Sequence, residues 1–116
     1  LFINWKLPLV LCEGPFDAIA IKRNAIPLLG NNIQSKLMKK IVTSTIEKIY
    51  IALDTDAMKK ALKFAEDFIN QGKEVYLVEL QGKDPSEMGF KNFTKLIQNT
   101  IPLTQYDLME KKLQLV

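Results

Sequence analysis

Histidine is absent from this 116-residue chain, and cysteine occurs once, as Cys12. Without histidine there is no Ser-His-Asp or Cys-His nucleophilic site, and one thiol does not make an ordinary zinc site. A lone cysteine also leaves no internal disulfide, which fits a reducing, cytoplasmic setting. No run approaches the roughly 18 consecutive apolar residues of a membrane helix. The opening Leu1-Phe2-Ile3-Asn4-Trp5-Lys6 has no basic stretch and no cleavage site, so it does not read as a signal peptide. Its start without Met reads as a segment cut from a longer protein. Glycine and proline number five each, too few for a low-complexity tract or a flexible linker.

What is present is ordinary in bulk. Hydrophobic residues make up 47% of the chain and charged ones 25%, the balance of a globular domain with a buried core. The net charge of +3 is mild, and is compatible with a polyanionic partner without requiring one.

The patterning alternates strand and helix. Leu7 to Cys12 is a continuous apolar run, as expected of a strand buried on both faces of a parallel sheet. Phe16 to Asn24 reads as a short helix. Ile26-Pro27-Leu28-Leu29 is a second strand, which its proline confines to an edge or a strand start. Ile33 to Thr45 carries Ile33, Leu37, Ile41 and Val42 at helical spacing, and Lys48 to Leu53 is a third strand. Ala61, Phe64, Ala65, Phe68 and Ile69 form one helical stripe that closes at Gln71-Gly72-Lys73, with glycine at the C-terminal cap. Glu74 to Leu80 is a fourth strand. Phe90–Asn99 and Leu103–Leu115 read as terminal helices broken at Pro102. The order predicts an α/β sandwich: about four parallel strands with right-handed helical crossovers, plus C-terminal helices.

Two acidic motifs follow strand-like runs: Glu13-Gly14-Pro15-Phe16-Asp17 and Asp54-Thr55-Asp56. In parallel α/β sheets, ligands bind beyond the carboxyl ends of the strands, where strand order reverses. If the first and third strands are neighbours there, Glu13 and Asp54/Asp56 face each other, and Asp84 beyond the fourth strand lies on the same edge. An all-carboxylate cluster suits a hard divalent cation, Mg²⁺ with Mn²⁺ as a substitute. Blander accounts exist for two of these residues. Asp17 suits the positive end of a helix, and Asp56 suits the cap of a helix starting near Ala57.

With Leu29-Gly30 and Lys83-Asp84-Pro85-Ser86-Glu87, these motifs make the chain resemble the TOPRIM domain shared by DnaG-type primases, topoisomerases and small nucleases. The E-G-x-x-D form and the K-D-P-x-E segment resemble primases most, especially those of phages and mobile elements. The resemblance runs from about Leu7 to Leu96. It implies a Rossmann-like three-layer fold, with residues 1–116 as one TOPRIM domain (core about 7–97, helical extension 98–116) belonging to a larger primase or primase-helicase. It implies Glu13 as general acid or base, and Asp54, Asp56, Asp17 and Asp84 as Mg²⁺ ligands. The implied activity is synthesis of RNA primers from ribonucleoside triphosphates on single-stranded DNA, alongside other primase or helicase domains. A small metal-dependent nuclease and a non-catalytic nucleic-acid-binding or docking module are the alternatives the same residues allow.

Two positions depart from the primase pattern. Lys59 stands where a glycine usually follows the second aspartate of D-x-D, and Ser86 where bacterial primases often carry a further aspartate. Lys36, Lys39, Lys40, Lys59, Lys60 and Lys63 are consistent with solvated helix faces. Lys59 and Lys60, one turn beyond Asp56, are the candidates for contact with phosphate. Trp5 is expected to pack against a segment outside this chain.

Overall fold

The computed structural model describes residues 3–14, 24–28, 35–53, 55–80 and 85–115. Strands β1 (Leu9–Cys12), β2 (Ala25–Pro27), β3 (Lys48–Ala52) and β4 (Glu74–Leu77) form one parallel sheet in the order β2-β1-β3-β4. This is the α/β architecture that the alternating pattern predicts. Pro27 lies in an edge strand, where its missing N–H removes no ladder bond from the interior.

Alternate residues of each strand feed two separate cores. Leu9, Leu11, Ile49, Ile51 and Val75 enter the first, under helices α1 (Ser35–Thr43), α2 (Met58–Asn70) and α5 (Gln105–Gln114). Val10, Cys12, Ala52 and Val78 enter the second, where Phe93 and Ile97 pack from α4 (Phe90–Asn99). A four-residue helix, α3 (Pro85–Met88), precedes α4 and brings Met88 against the same core. Three layers result, with apolar residues on both faces of every strand. The continuous apolar runs in the sequence have this cause. Among the described residues no helix is long and apolar enough to cross a membrane.

Each helix is set by its apolar face and ended by a local device. In α2, Ala61, Leu62, Phe64, Ala65 and Phe68 are buried. Its last turn closes as a Schellman motif: the Gly72 N–H donates to the Ile69 carbonyl at 3.0 Å and the Lys73 N–H to the Phe68 carbonyl at 3.0 Å. Gly72 has φ of +86°, and a Cβ there would meet nothing within 4 Å. Gly72→Ala therefore meets no neighbouring atom but forces a residue with a Cβ into a left-handed conformation, and chemical denaturation is expected to show a cost of about 1 kcal/mol. The Lys73 ammonium is anchored on the Ser44 and Ile46 carbonyls, tying the end of α2 to the entry of β3.

The C-terminal helix is fixed by contacts far away in sequence. Leu103 N–H donates to the Val75 carbonyl at 2.7 Å and Pro102 bridges Tyr76, so this segment covers the open edge of β4. Thr104 and Asp107 then make a capping box that starts α5, and Leu108 enters the first core. Gln105 lies against Asn70, and Lys112 pairs with Glu66, so α5 runs antiparallel to α2. On the other side of the sheet Tyr50 and Tyr76 stack with centroids 4.4 Å apart. Tyr76 donates to a Glu74 carboxylate oxygen at 2.5 Å. Burial first, and then that carboxylate, push its phenol up to about 12.

Trp5 departs from expectation. It packs against the first core of its own chain, its carbonyl accepts from Thr45 at 2.8 Å, and Lys40 sits 5.0 Å over its ring. The indole is half covered within the domain, because the segment before β1 folds back over the α1–β3 turn.

Candidate functional site

The sheet order decides where a site can form. The connection from β1 to β2 moves one way across the sheet, and the next, through α1, passes back over β1 to β3. The reversal falls between β1 and β3, and ligands of parallel α/β sheets bind at such a point, beyond the carboxyl ends of the strands. The two strands are in register at that end, with Cys12 opposite Ala52. Glu13 and Leu53 are therefore the next residues on adjacent strands, and Asp54-Thr55-Asp56 follows Leu53 directly.

Glu13 is half-buried, immediately after Cys12, which is fully buried. The Cys12 thiol lies 3.7 Å from both the Gly14 and the Ile26 carbonyls, binding the turn after β1 to neighbouring β2. Cys12 is thus a packed strand residue. Asp56 is exposed, in the middle of a single 3₁₀ turn, Thr55–Ala57, that leads from β3 into α2. The capping account of Asp56 fails. The N-cap of α2 is Ala57, and among the described residues no side-chain hydrogen bond caps it. Glu87, next to the departure at Ser86, is exposed within α3.

Asp17, Asp54 and Asp84 lie outside the described residues. Of the five proposed carboxylates, the structure therefore gives positions for Glu13 and Asp56. Among the described residues no group of three potential metal ligands occurs. The donor set still favours a hard ion. All five candidates are carboxylates, the chain has no histidine, and its one thiol is sealed in a strand.

Of the lysines, Lys59 and Lys63 are exposed on α2, and Lys60 is half-buried. The helix is charged against its own dipole. Lys59 and Lys60 occupy its first turn, which holds no acidic residue, while Glu66 and Asp67 lie toward its other end. Cations near a helix N-terminus are unfavourable. Asp56, in the 3₁₀ turn that runs directly into α2, precedes Lys59 and Lys60 by three and four residues and sets a negative charge at the same helix end. The sequence showed the lysines but could not show that Lys112 and Leu115, from the end of α5, come to lie beside Lys59.

The Toprim-like family model matches residues 10–88, a span that takes in all five carboxylates. The "Uncharacterized protein MG010 homolog" of Mycoplasma pneumoniae is 36% identical over 104 residues, covering 80% of this chain and 49% of that protein. The chain thus spans about half the length of that relative. Among solved structures, the Aquifex aeolicus primase (zinc-binding and RNA polymerase domains) superposes with a TM-score of 0.68 and 29% identity. The match covers 83% of this chain and 26% of that one.

Proposed function

This chain belongs to the Toprim-like family and is a TOPRIM domain of the DnaG-primase type, and from that premise we propose that it is the catalytic domain of a DNA primase, joining ribonucleotides on a single-stranded DNA template. The observation that carries the reading is the in-register pairing of β1 and β3 at the switch point, with an acidic motif directly following each strand.

Asp54 and Asp56, with Asp17 and Asp84, are the residues that hold Mg²⁺ in this reading, and Mn²⁺ can replace it. Bound there, the ion supplies charge neutralisation for the triphosphate and the departing pyrophosphate. Glu13 accepts the proton of the attacking 3′ hydroxyl. Its half-buried position at the end of β1 limits its freedom. Lys59 and Lys60 contact phosphate oxygens as point charges, with no preference for base sequence. Asp56, exposed and not used as a helix cap, remains available for a ligand.

Calorimetric titration with Mg²⁺ or Mn²⁺ tests the assignment. Saturable binding is expected in the native chain, together with its loss in Asp54→Ala and Asp56→Ala. Unchanged metal affinity in both variants would refute the catalytic-site reading. Metal-dependent cleavage of a phosphodiester substrate, without primer synthesis, would assign the same carboxylates to a nuclease instead.

A further inference from the structure

Beside the acidic edge, α2 and α5 enclose a groove of about 430 Å³ lined by Lys59, Leu62, Lys63, Glu66, Lys112 and Leu115. Because α5 runs antiparallel to α2, its C-terminal turn arrives at the N-terminal end of α2, and hence at the carboxyl edge of the sheet. One end of the groove is Lys59, three residues beyond Asp56. Lys63 follows one helical turn further from that edge, and Lys112 stands across from it. Leu62 and Leu115 make an apolar floor between them.

We propose that this groove is the lane by which a nucleic-acid single strand approaches the acidic edge, its phosphates running along Lys59 and Lys63. The inference rests on the nucleotidyl-transfer reading above and names a surface for its template. Three arguments support a strand as the occupant. The lysines outnumber the acid three to one, and Lys112 already neutralises Glu66, which leaves Lys59 and Lys63 to attract an anion. Their side chains repeat along the helix at about 5–6 Å, a linear spacing that suits a polymer backbone better than a compact triphosphate. The floor offers leucines and no aromatic ring, so it accommodates sugar and base edges without selecting a sequence by stacking. The departure of Lys59 from the glycine usual in primases thereby gains a role, since a glycine there would remove one wall of the lane.

The test is fluorescence anisotropy of a labelled oligothymidylate across a salt series, with divalent ions chelated so that the acidic site adds nothing. For Lys59→Ala/Lys63→Ala, the slope of log affinity against log salt is expected to fall in magnitude by about 1.4, two phosphate contacts for a single strand. Its melting temperature should be nearly unchanged, because both side chains are exposed. Lys91→Ala/Lys95→Ala, on α4 across the sheet, should leave the slope unchanged. Equal losses from both pairs would reduce the effect to diffuse surface charge and overturn the proposal. So would an unchanged slope in the α2 pair, or displacement of the strand by free dTTP at matched phosphate concentration. Failure of the catalytic reading is seen separately, in the metal titration of Asp54→Ala and Asp56→Ala.

Discussion

Glu13→Gln is expected to lower primer synthesis by about 10² to 10⁴-fold, the range for loss of a positioned general base, while leaving divalent-ion affinity nearly intact. The substitution keeps the shape of the side chain and most of its hydrogen-bonding capacity, but removes the ability to take a proton at neutral pH. Glu13 is half-buried after a fully buried strand, so a glutamine fits with little packing consequence. The informative comparison is with Asp56→Asn, which should lose metal affinity and activity together. If Glu13→Gln instead abolishes metal binding in calorimetric titration, Glu13 is a ligand and the proton acceptor must be sought elsewhere. The activity arm is read in whichever length of the protein makes primers, and the metal arm in this chain alone.

Phe68→Ala is expected to destabilise the domain by about 3–5 kcal/mol, the range for removing a buried aromatic ring. Phe68 is 0% exposed, in the middle of the first core, where α2 meets the sheet and α5. The lost ring leaves a cavity that a sheet held from both faces cannot collapse to fill. Total stability is commonly only about 5–15 kcal/mol, so the variant lies near the limit of folding. Phe68→Leu retains most of the volume and should fold with a smaller loss. Ile101→Ala, at a residue 78% exposed, should stay within about 0.5 kcal/mol of the parent in the same urea denaturation series. A Phe68→Ala loss as small as that of Ile101→Ala would mean that the α2–sheet contact is not the main core.

The element order was legible because it depends on neighbours in sequence. The stripe from Ala61 to Ile69 predicts α2, and Gly72 ends it as a local αL cap does. Pro27 predicts an edge strand through its missing donor, and β2 is one. The pattern over Phe90–Asn99 predicts a helix with the bounds that α4 has. Strand lengths were overestimated at both ends. Leu7 and Pro8 precede the β1 ladder, and Val78 to Leu80 continue past the last paired residue of β4 while Val78 and Leu80 stay buried. Burial writes an apolar pattern whether or not the ladder continues, so pattern alone cannot locate the last hydrogen bond.

The candidate site was legible as residue types after strands and no further. Read alone, Asp56 is equally a helix cap, and only the 3₁₀ turn with Ala57 as N-cap removes that account. From the sequence alone Trp5 is likewise expected to pack against a segment outside this chain, because its contacts with Thr45 and Lys40 span 40 and 35 residues of chain.

The sequence by itself determined that this protein is a parallel α/β domain with acidic residues following two of its strands, through propensity, periodicity and cap chemistry that act over a few residues. Tertiary structure alone decided that β1 and β3 are neighbours in register, which converts two separate motifs into one edge. It also decided that α5 returns along α2 to set Lys112 and Leu115 beside Lys59. Both are pairings between distant segments. Their free energy comes from surface buried jointly by two parts of the chain, and no local window contains both.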